Sequence, residues 1–294
     1  VCYDMSGELL FQLNARGQGP GEYTDINAFA VNASLHQLVI YDNMKQSLMF
    51  YSTEDGRFVK SEKFNKPTPA EIAYWGGYFF YHNRLHRNYQ DDISLHYYLL
   101  ASKDGITIGK RYFKHENNKE DYPFSPSGHN LYDNNSKLYY CRDFDNIVYQ
   151  IHEDSVVPRF RINLPNPLPA SMIEERPNEM SLLRSGYSLG ITDIYEYGGL
   201  LFFRFVKDGY IWSCLYNVEE SKQVYCAKRI KFLDSSLIDT IDGIYKDCFY
   251  SILTPEYLDY AFSENPLEDY PDLFKTYDVE GDNPVIAFYR AVVR

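Results

Sequence analysis

Three histidines lie close enough in the sequence to raise the question of a metal site, namely His82, His86 and His96. On a helix, two histidines four residues apart would aim both imidazoles at one zinc ion. The flanking residues 78–81 and 93–95 instead have strand-type side chains, and no acidic residue lies between the first two histidines. We therefore expect a solvated loop here, and we assign neither a metal nor any other cofactor.

Oxygen-bearing side chains gather in residues 133–136 and at Asp143 and Asp145, where a calcium ion could find ligands. A calcium loop needs alternating acidic ligands and a closing glutamate, which this stretch lacks. Turn-forming Asp and Asn residues explain the pattern better. The chain also has no Gly-x-Ser-x-Gly elbow, which disfavours a hydrolase of that class. We predict no catalytic residue.

A glycine-rich stretch reads Arg16-Gly-Gln-Gly-Pro-Gly-Glu22-Tyr23. Loops that bind phosphate open a helix, whereas residues 26–31, which follow this stretch, have a strand pattern. The glycines then serve to swing the chain from one strand to the next, with Glu22 accepting backbone N–H bonds and Tyr23 packing as a wedge. The alternative is a ligand-contacting loop that uses Arg16, Glu22 and Tyr23.

Four aromatic residues are further candidates for ligand binding: Trp75, Tyr195, Tyr197 and Trp212. Each lies at or near the end of a strand pattern, where loops gather on one side of a sheet. Aromatic rings at such places stack on sugars or peptide groups, but core packing uses most aromatic residues of a β protein. Both interpretations stay open for each ring.

Five cysteines are present and none forms a Cys-x-x-Cys pair, which disfavours a zinc ribbon or a thioredoxin-like site. Cys214 and Cys226 fall in consecutive strand patterns on either side of Glu220. If these strands pair antiparallel about Glu220, the two cysteines lie directly opposite each other, with Cα atoms about 4.5 to 5.5 Å apart. Two free thiols and a disulfide both fit this register, and a disulfide would agree with a location in the cell envelope.

Composition and charge exclude several classes of partner. The 294 residues include 29 Lys and Arg against 41 Asp and Glu, which gives a net charge of −12 and disfavours nucleic acid and anionic lipid surfaces. No run of 18 or more apolar residues occurs, so we expect no membrane-spanning segment. With 45% hydrophobic residues, the chain can build a large core.

The elements that must position these residues are strands, and they repeat. Gly7, Gly56 and Gly105 each lie in a polar turn between two apolar strand patterns, and they are 49 residues apart each time. A third step of 49 reaches Asp154, in a fourth such turn, and a fifth turn is centred on Glu220 after an interruption. Units of this length with about four strands are typical of β-propeller blades, whereas immunoglobulin-like units run to about 100 residues.

Two stretches break the strand pattern, residues 165–185 and 255–277, and each begins at a proline and reads as short helices. We therefore predict an all-β fold, a six-bladed β-propeller with two short helical insertions that forms a single domain over residues 1–294. The first unit holds only two strand patterns, so we expect its blade to be incomplete at the N-terminus and the native protein to extend upstream of Val1.

The glycine-rich stretch gives the chain a resemblance to a known family. Residues 11–13, 17–23, 40–42 and 282–289 resemble the signature of six-bladed β-propeller proteins of unknown function, which are abundant as envelope lipoproteins in gut Bacteroidetes and are distantly like NHL-repeat propellers. The resemblance spans nearly the whole chain. It implies a periplasmic or cell-surface location and a lipid anchor upstream of Val1.

The same resemblance implies a non-enzymatic role. We expect a binding or scaffolding propeller of the bacterial cell envelope whose ligand is a glycan, a peptide or a partner protein. The alternative is a metal-dependent enzyme resembling propeller lactonases or lyases, which hold a metal through inward-pointing ligands from several blades. The two differ in one respect, because the enzyme needs three or four convergent metal ligands.

Overall fold

The computed structural model describes residues 1–4, 6–64, 68–83, 93–114, 128–175, 177–228, 241–264, 272–281 and 283–290. Within them the chain forms two compact units. Unit 1 comprises residues 1–123 and 151–157, and unit 2 comprises residues 124–150 and 158–294. Our assignment of one domain to the whole chain stays a prediction.

Unit 1 contains a two-stranded hairpin followed by two four-stranded antiparallel sheets, each in simple sequence order. The hairpin is β1 (Cys2–Tyr3) and β2 (Leu9–Phe11). The first sheet is β3 (Ile26–Asn32), β4 (Gln37–Asp42), β5 (Ser47–Ser52) and β6 (Phe58–Lys63). The second sheet is β7 (Pro69–Trp75), β8 (Tyr78–Asn83), β9 (Tyr97–Ser102) and β10 (Lys110–Lys114).

Unit 2 contains two four-stranded antiparallel sheets and one three-stranded sheet; the tip of one of its hairpins, residues 151–157, belongs to unit 1. The third sheet is β11 (Leu131–Asp133), β12 (Leu138–Cys141), β13 (Ile147–Ile151) and β14 (Val156–Arg161). The fourth is β15 (Ser188–Tyr197), β16 (Leu200–Lys207), β17 (Tyr210–Asn217) and β18 (Lys222–Ala227). The fifth is β19 (Gly243–Tyr245), β20 (Cys248–Leu253) and β21 (Val285–Tyr289).

Each sheet is an up-and-down meander, the form of a propeller blade, so the all-β propeller class is confirmed. The middle strands β4 and β5 are buried on both faces, whereas β6 at the edge is mostly exposed. In unit 1 the faces of the first two blades share one core, in which the Phe64 ring packs on Tyr41 and Tyr81 with centroids 5.9 and 4.9 Å away. Aromatic rings between sheets therefore supply much of the buried apolar area.

The number of blades differs from the prediction of six. The described residues form five blades and one two-stranded hairpin. The five repeated turns do occupy equivalent positions, because each joins the last two strands of its unit, as at Gly56 between β5 and β6 and at Glu220 between β17 and β18. The unit around Gly7, whose blade we expect to be incomplete, consists of the two strands β1 and β2 and forms no four-stranded blade within the described residues.

Both helical insertions are confirmed. The first contains α1 (Ala170–Glu174) and α2 (Glu179–Leu183), and the second contains α3 (Pro255–Glu264) and α4 (Asp272–Lys275). Proline suits the first position of α3 because no helical partner awaits its missing N–H. Leu258 and Phe274 from the second insertion are buried against Leu253 at the end of β20. This insertion therefore adds its own small core to the fifth blade.

Asparagine side chains link the first strands of neighbouring blades. In unit 1 the Asn27 amide donates to the Pro69 carbonyl at 2.6 Å. In unit 2 the Asn134 amide donates to the carbonyls of Tyr132 and Ile194, both at 3.1 Å, and its oxygen accepts from the Glu196 N–H at 2.6 Å. Asn134 therefore satisfies backbone groups on the edge of β15 that β16 does not reach.

The predicted cysteine register is confirmed. Cys214 lies directly opposite Cys226, their Cα atoms are 4.1 Å apart, and the two form a disulfide. Cys2, Cys141 and Cys248 are free thiols.

Thiol titration tests this pairing. Unfolded protein purified without reductant is expected to release three reactive thiols out of five, and reduction should release all five. Because the bond closes a short loop that the hairpin already holds, Cys214→Ser should change the free energy of unfolding only near the low end of the usual range of about 0 to 5 kcal/mol. Five thiols before reduction would contradict the disulfide.

The asparagine link predicts a large and specific loss of stability. Asn134→Ala removes the side-chain partner of the Tyr132 and Ile194 carbonyls and of the Glu196 N–H, and it should lower the free energy of unfolding by roughly 2 to 4 kcal/mol. Asn146→Ala, in the same blade, is the control, because no side-chain hydrogen bond of Asn146 occurs within the described part of the chain. It should change stability by less than about 0.5 kcal/mol in the same urea titration. If both variants lower the free energy of unfolding equally, the hydrogen bonds of the Asn134 side chain make no specific contribution to stability.

Candidate functional site

The glycine-rich stretch closes on itself. Gly17 donates its N–H to the Tyr23 carbonyl at 2.8 Å, and Gly19 donates to the Glu22 carboxylate at 2.7 Å. The Glu22 carboxylate lies so close to Gly17 that any side chain at Gly17 would overlap it. Gly21 has a φ of 78°, and a Cβ there would lie 2.8 Å from the Phe58 ring. The glycines are required by these close approaches, and Glu22 accepts a backbone N–H as the sequence predicts.

Two side chains from the following turn hold this loop against the first blade. The Lys45 ammonium donates to the carbonyls of Gly19 and Glu22 at 3.2 and 2.5 Å. Asp42 is fully buried and accepts from the Thr24 and Lys45 N–H groups at 2.6 and 2.9 Å. Burial alone would raise the pKa of the Asp42 carboxyl, but these hydrogen bonds outweigh it and lower that pKa below its ordinary value.

The polar groups of the loop therefore hydrogen-bond mostly within the loop or to the first blade. Tyr23 packs on the cluster of Ile40, Met49 and Tyr51, which is the wedge predicted from the sequence. The Arg16 side chain is exposed, and within the described residues nothing pairs with it. Ligand binding by Arg16, Glu22 and Tyr23 stays a prediction.

The two tryptophans lie in different sheets. Trp75 is the half-buried last residue of β7 and pairs with Tyr78 across the turn. Trp212 stacks on Phe205, with centroids 6.2 Å apart, and the Lys228 ammonium lies 5.8 Å from its ring. The buried Trp212 N–H has no hydrogen-bond partner among the residues that the structure describes. Trp212 packs within the fourth blade, two strands away from β15, where Tyr195 and Tyr197 lie.

In unit 2 the first strands of three successive blades, β11, β15 and β19, contact one another. The strand β15 is irregular at this place, with register shifts after Ser188 and after Thr192. Gly190 and Asp193 have positive φ values of 101° and 52° in these two bulges. Bulges and non-glycine residues with positive φ occur often beside functional sites, because they aim side chains that a regular strand could not.

Tyr195 is the centre of this meeting point. Its ring is 93% buried, packs edge-on against Tyr132 of β11 at 6.1 Å and stacks on Phe202 at 6.5 Å. Burial, and then the nearby Asp193, Tyr250 and Asp242, raise the pKa of the Tyr195 hydroxyl well above its ordinary value. This hydroxyl has no hydrogen-bond partner in the described parts of the chain.

Tyr250 and two carboxylates complete the cluster. The Tyr250 ring covers Gly243, where a Cβ would lie 2.6 Å from the ring, and its hydroxyl is also without a hydrogen-bond partner among the described residues. Asp242 accepts the Ile252 N–H at 2.7 Å. Burial, followed by the carboxylates of Asp242 and Asp133, raises the pKa of Tyr250. We name Asp133, Tyr195, Asp242 and Tyr250 the Tyr–Asp cluster.

Asp133 is the exposed last residue of β11. Burial by the surrounding protein raises the pKa of its carboxyl, and this outweighs a hydrogen bond from the Asn135 backbone that lowers it. The sequence placed Asp133 in a turn and missed Asp242 and Tyr250, because nothing in their spacing shows that three blades bring them together.

Neighbouring acidic side chains are already neutralised. Asp193 pairs with the Arg204 guanidinium at 2.6 Å. Glu196 pairs with Lys137 and Arg159 at 2.7 and 3.1 Å and also accepts the Tyr139 hydroxyl. Within the described ranges no Lys, Arg or His forms an ion pair with Asp133 or Asp242. Within the part of the chain that the structure describes, neither carboxylate of the Tyr–Asp cluster therefore has an ion-pair partner.

The histidine and calcium candidates from the sequence are not arranged as metal sites within the described residues. Among the described residues, no group of three His, Cys, Asp or Glu side chains is placed to hold a metal ion. His82 is buried at the end of β8, and His86 lies outside the described residues. Asp145 accepts the Asn146 and Ile147 N–H groups and pairs with Arg142 at 2.6 Å, as a turn-forming residue does. Of the helices that the structure describes, none is long and apolar enough to span a membrane.

The chain belongs to a family defined as a domain of unknown function, DUF4934, whose model matches residues 1–290. Its fold is similar to that of a Bacteroides fragilis protein named as a candidate exported protein, with a TM-score of 0.77, 17% identity, and coverage of 97% of this chain and 82% of that one. It is also similar to a member of the DUF4221 family from Bacteroides vulgatus, with a TM-score of 0.56, 10% identity, and coverage of 98% and 85%. No curated protein matches the chain.

The glycine-rich loop generates a prediction about stability. Gly21→Ala must place a Cβ at positive φ against the Phe58 ring, whereas Gly7→Ala at a φ of 86° meets nothing within 4 Å. We expect Gly7→Ala to lower the free energy of unfolding by about 1 kcal/mol and Gly21→Ala by roughly 2 to 4 kcal/mol. Urea titration at 25 °C measures both, and similar losses would mean that the contact with Phe58 is unimportant.

Proposed function

We propose that the protein is a non-enzymatic binding propeller of the bacterial cell envelope, and that it holds a peptide, a glycan or a partner protein at the Tyr–Asp cluster. The observation that carries this proposal is the state of Tyr195, a nine-tenths buried tyrosine whose hydroxyl makes no hydrogen bond within the described residues. A tyrosine hydroxyl that makes no hydrogen bond inside the protein is available to bond a ligand, and its ring supplies apolar contact area.

The Tyr–Asp cluster has the composition of a binding site. The aromatic rings of Tyr195 and Tyr250 provide apolar area, and their hydroxyls and the two carboxylates provide polar groups. Small-molecule and peptide sites combine these two properties. The cluster also lies where three blades meet, and a site at such a place can be changed without altering the sheets that hold it.

Export to the envelope is supported by the likeness to the Bacteroides fragilis protein described above and by the Cys214–Cys226 disulfide, since disulfides persist in oxidising compartments. A lipoprotein anchor, the kinship with NHL-repeat propellers and the choice between periplasm and cell surface rest on the resemblance alone. No observation favours the metal-dependent enzyme, so we do not develop that alternative.

Binding measurements on matched tyrosine variants test this function. Panels of peptides and of cell-envelope glycans are screened by thermal shift, and each hit is titrated by calorimetry against wild type, the double variant Tyr195→Phe/Tyr250→Phe, and Tyr216→Phe. Tyr216 is a partly buried residue of the same blade with no side-chain hydrogen bond in the described chain. Loss of the two cluster hydroxyls should weaken binding at least tenfold, and Tyr216→Phe should leave it unchanged.

The opposite pattern would reject the proposal. If every ligand found binds the double variant as tightly as wild type, the Tyr–Asp cluster is not the binding site. If neither panel yields a saturable ligand under conditions where the protein is folded, the proposal that the Tyr–Asp cluster binds a ligand is wrong.

A further inference from the structure

The fifth blade has one strand fewer than the other four. Each of the four-stranded blades ends in an outer strand, namely β6, β10, β14 or β18, which pairs with the third strand of its sheet. The fifth blade ends at its third strand, β21, and among the residues that the structure describes no strand pairs with the outer edge of β21. The backbone N–H and C=O groups on that edge can therefore accept one more strand.

The edge of β21 has none of the features that keep sheet edges from pairing, which are charged side chains, prolines and bulges. β21 contains no charged residue and no proline, and it pairs with β20 without a register shift. The outer strands of the other blades each have at least one such feature. Lysines and a register shift occur at β6 and β18, Lys110 and Arg111 in β10, and Pro158 in β14. In composition β21 is an inner strand.

The side chains of β21 leave an apolar face exposed. Phe288 is 44% exposed, and Ile286, two residues before it, lies on the same face. Ile252 lies opposite Ile286 on β20 and is also exposed, and the Tyr245 ring is 5.9 Å from that of Phe288. In β5, the third strand of the first blade, Phe50 is only 2% exposed. A contiguous exposed apolar face of this kind is typical of an interaction site.

The outer strands of the other blades indicate which side chain suits an aromatic ring at this position. Lys60 of β6 lies directly opposite Phe50, and its ammonium is 4.7 Å from the centre of that ring. Lys228, which follows β18, places its ammonium 3.4 Å from the centre of the Tyr210 ring of β17. Each of the four outer strands contains more Lys and Arg than Asp and Glu. A lysine covers such a ring with its methylene stem, and the negative face of the ring attracts its ammonium group.

Net charge favours a basic partner over a second copy of this chain. The chain carries a net charge of −12, so two copies repel each other, whereas a basic segment is attracted. Pairing of β21 with another β21 would also bring no lysine to either Phe288, because the strand has none. The composition of the missing strand is therefore that of the four outer strands already present.

We propose that the outer edge of β21 binds an extended, basic segment of a partner protein as a fourth strand. The segment runs antiparallel to β21, with a lysine opposite Phe288 and an apolar residue opposite Ile286. Backbone hydrogen bonds supply the affinity and these two side chains the specificity, as in other cases of strand addition. This inference goes beyond the function proposed above and does not use the Tyr–Asp cluster.

A designed peptide tests the charge requirement. In acetyl-Thr-Lys-Thr-Val-Thr-amide the lysine falls opposite Phe288 when the valine falls opposite Ile286. Calorimetric titration of the full chain should give saturable binding, with a dissociation constant of about 1 mM or below for so short a strand. The same peptide with norleucine in place of lysine keeps the methylene stem and loses the charge, and it should bind at least tenfold more weakly.

Two N-methylated forms of the lysine peptide test strand pairing. One form is methylated at the lysine and valine nitrogens, and the other at the nitrogens of the two threonines that follow them. In an antiparallel pair alternate N–H groups face the neighbouring strand, so one form loses its bonds to β21 and the other loses none. Exactly one form should therefore fail to bind. Equal affinity of the two forms would show that the peptide does not add as a strand.

Matched variants of the chain test the location. Phe288→Lys removes the ring and puts a like charge opposite the lysine of the peptide, so it should weaken binding at least tenfold. Phe29→Lys is the control, because Phe29 is an exposed phenylalanine of β3 and the net charge changes by the same amount. It should change the affinity less than threefold. Circular dichroism melting checks that both variants are folded.

Hydrogen exchange and sedimentation distinguish the other possible occupants of this edge. In the free chain, the β21 amides that do not face β20 should exchange rapidly, and the lysine peptide should slow them. If they are already protected in a monomer, the chain itself fills the edge and the proposal is wrong. A dimer that Phe288→Lys dissociates would assign the edge to a second copy. Equal affinity of the lysine and norleucine peptides, or undiminished binding by Phe288→Lys, would also overturn the inference.

Discussion

The organisation of unit 2 depends on satisfying the backbone groups at the open edges of its first strands. A blade pairs each strand with the next one, so the first strand always has one edge whose N–H and C=O groups face no strand of its own sheet. When that edge is buried, each unmet group costs about 1 to 3 kcal/mol. The Asn134 side chain, which follows β11, avoids this cost because it hydrogen-bonds to backbone groups on the open edge of β15. The amide thereby fixes the spacing of two blades.

Packing between blades is mainly aromatic, and this determines what the irregular segments must do. Large rings such as Tyr41, Phe64 and Tyr81 fill the space between the two sheets of unit 1. Glycines then occur where the backbone must approach such a ring or a carboxylate closely. Gly21 against the Phe58 ring and Gly17 against the Glu22 carboxylate are examples. Close packing thus accounts for these glycines, and ligand binding by the loop stays a prediction.

The Tyr–Asp cluster differs from the glycine-rich loop, because several of its polar side-chain atoms make no hydrogen bond or ion pair within the described residues. Salt bridges neutralise Asp193 and Glu196 nearby, whereas Asp133 and Asp242 remain without a countercharge in the described chain and two tyrosine hydroxyls make no hydrogen bond there. The bulged strand β15 brings these groups together with Gly190 and Asp193 at positive φ. Backbone at positive φ beside side chains that make no internal hydrogen bond is a combination found often at binding sites.

The sequence by itself determined the strands, the turns and the local register. Period-2 patterns and turn residues act over a few neighbours, so they predicted the blade class, both helical insertions and the pairing of Cys214 with Cys226. The count of six blades is not confirmed, because a repeated turn indicates a hairpin and not a whole sheet. Only the tertiary structure could assemble the Tyr–Asp cluster. Asp133, Tyr195 and Tyr250 lie on three blades far apart in sequence, and no local pattern records which first strands meet.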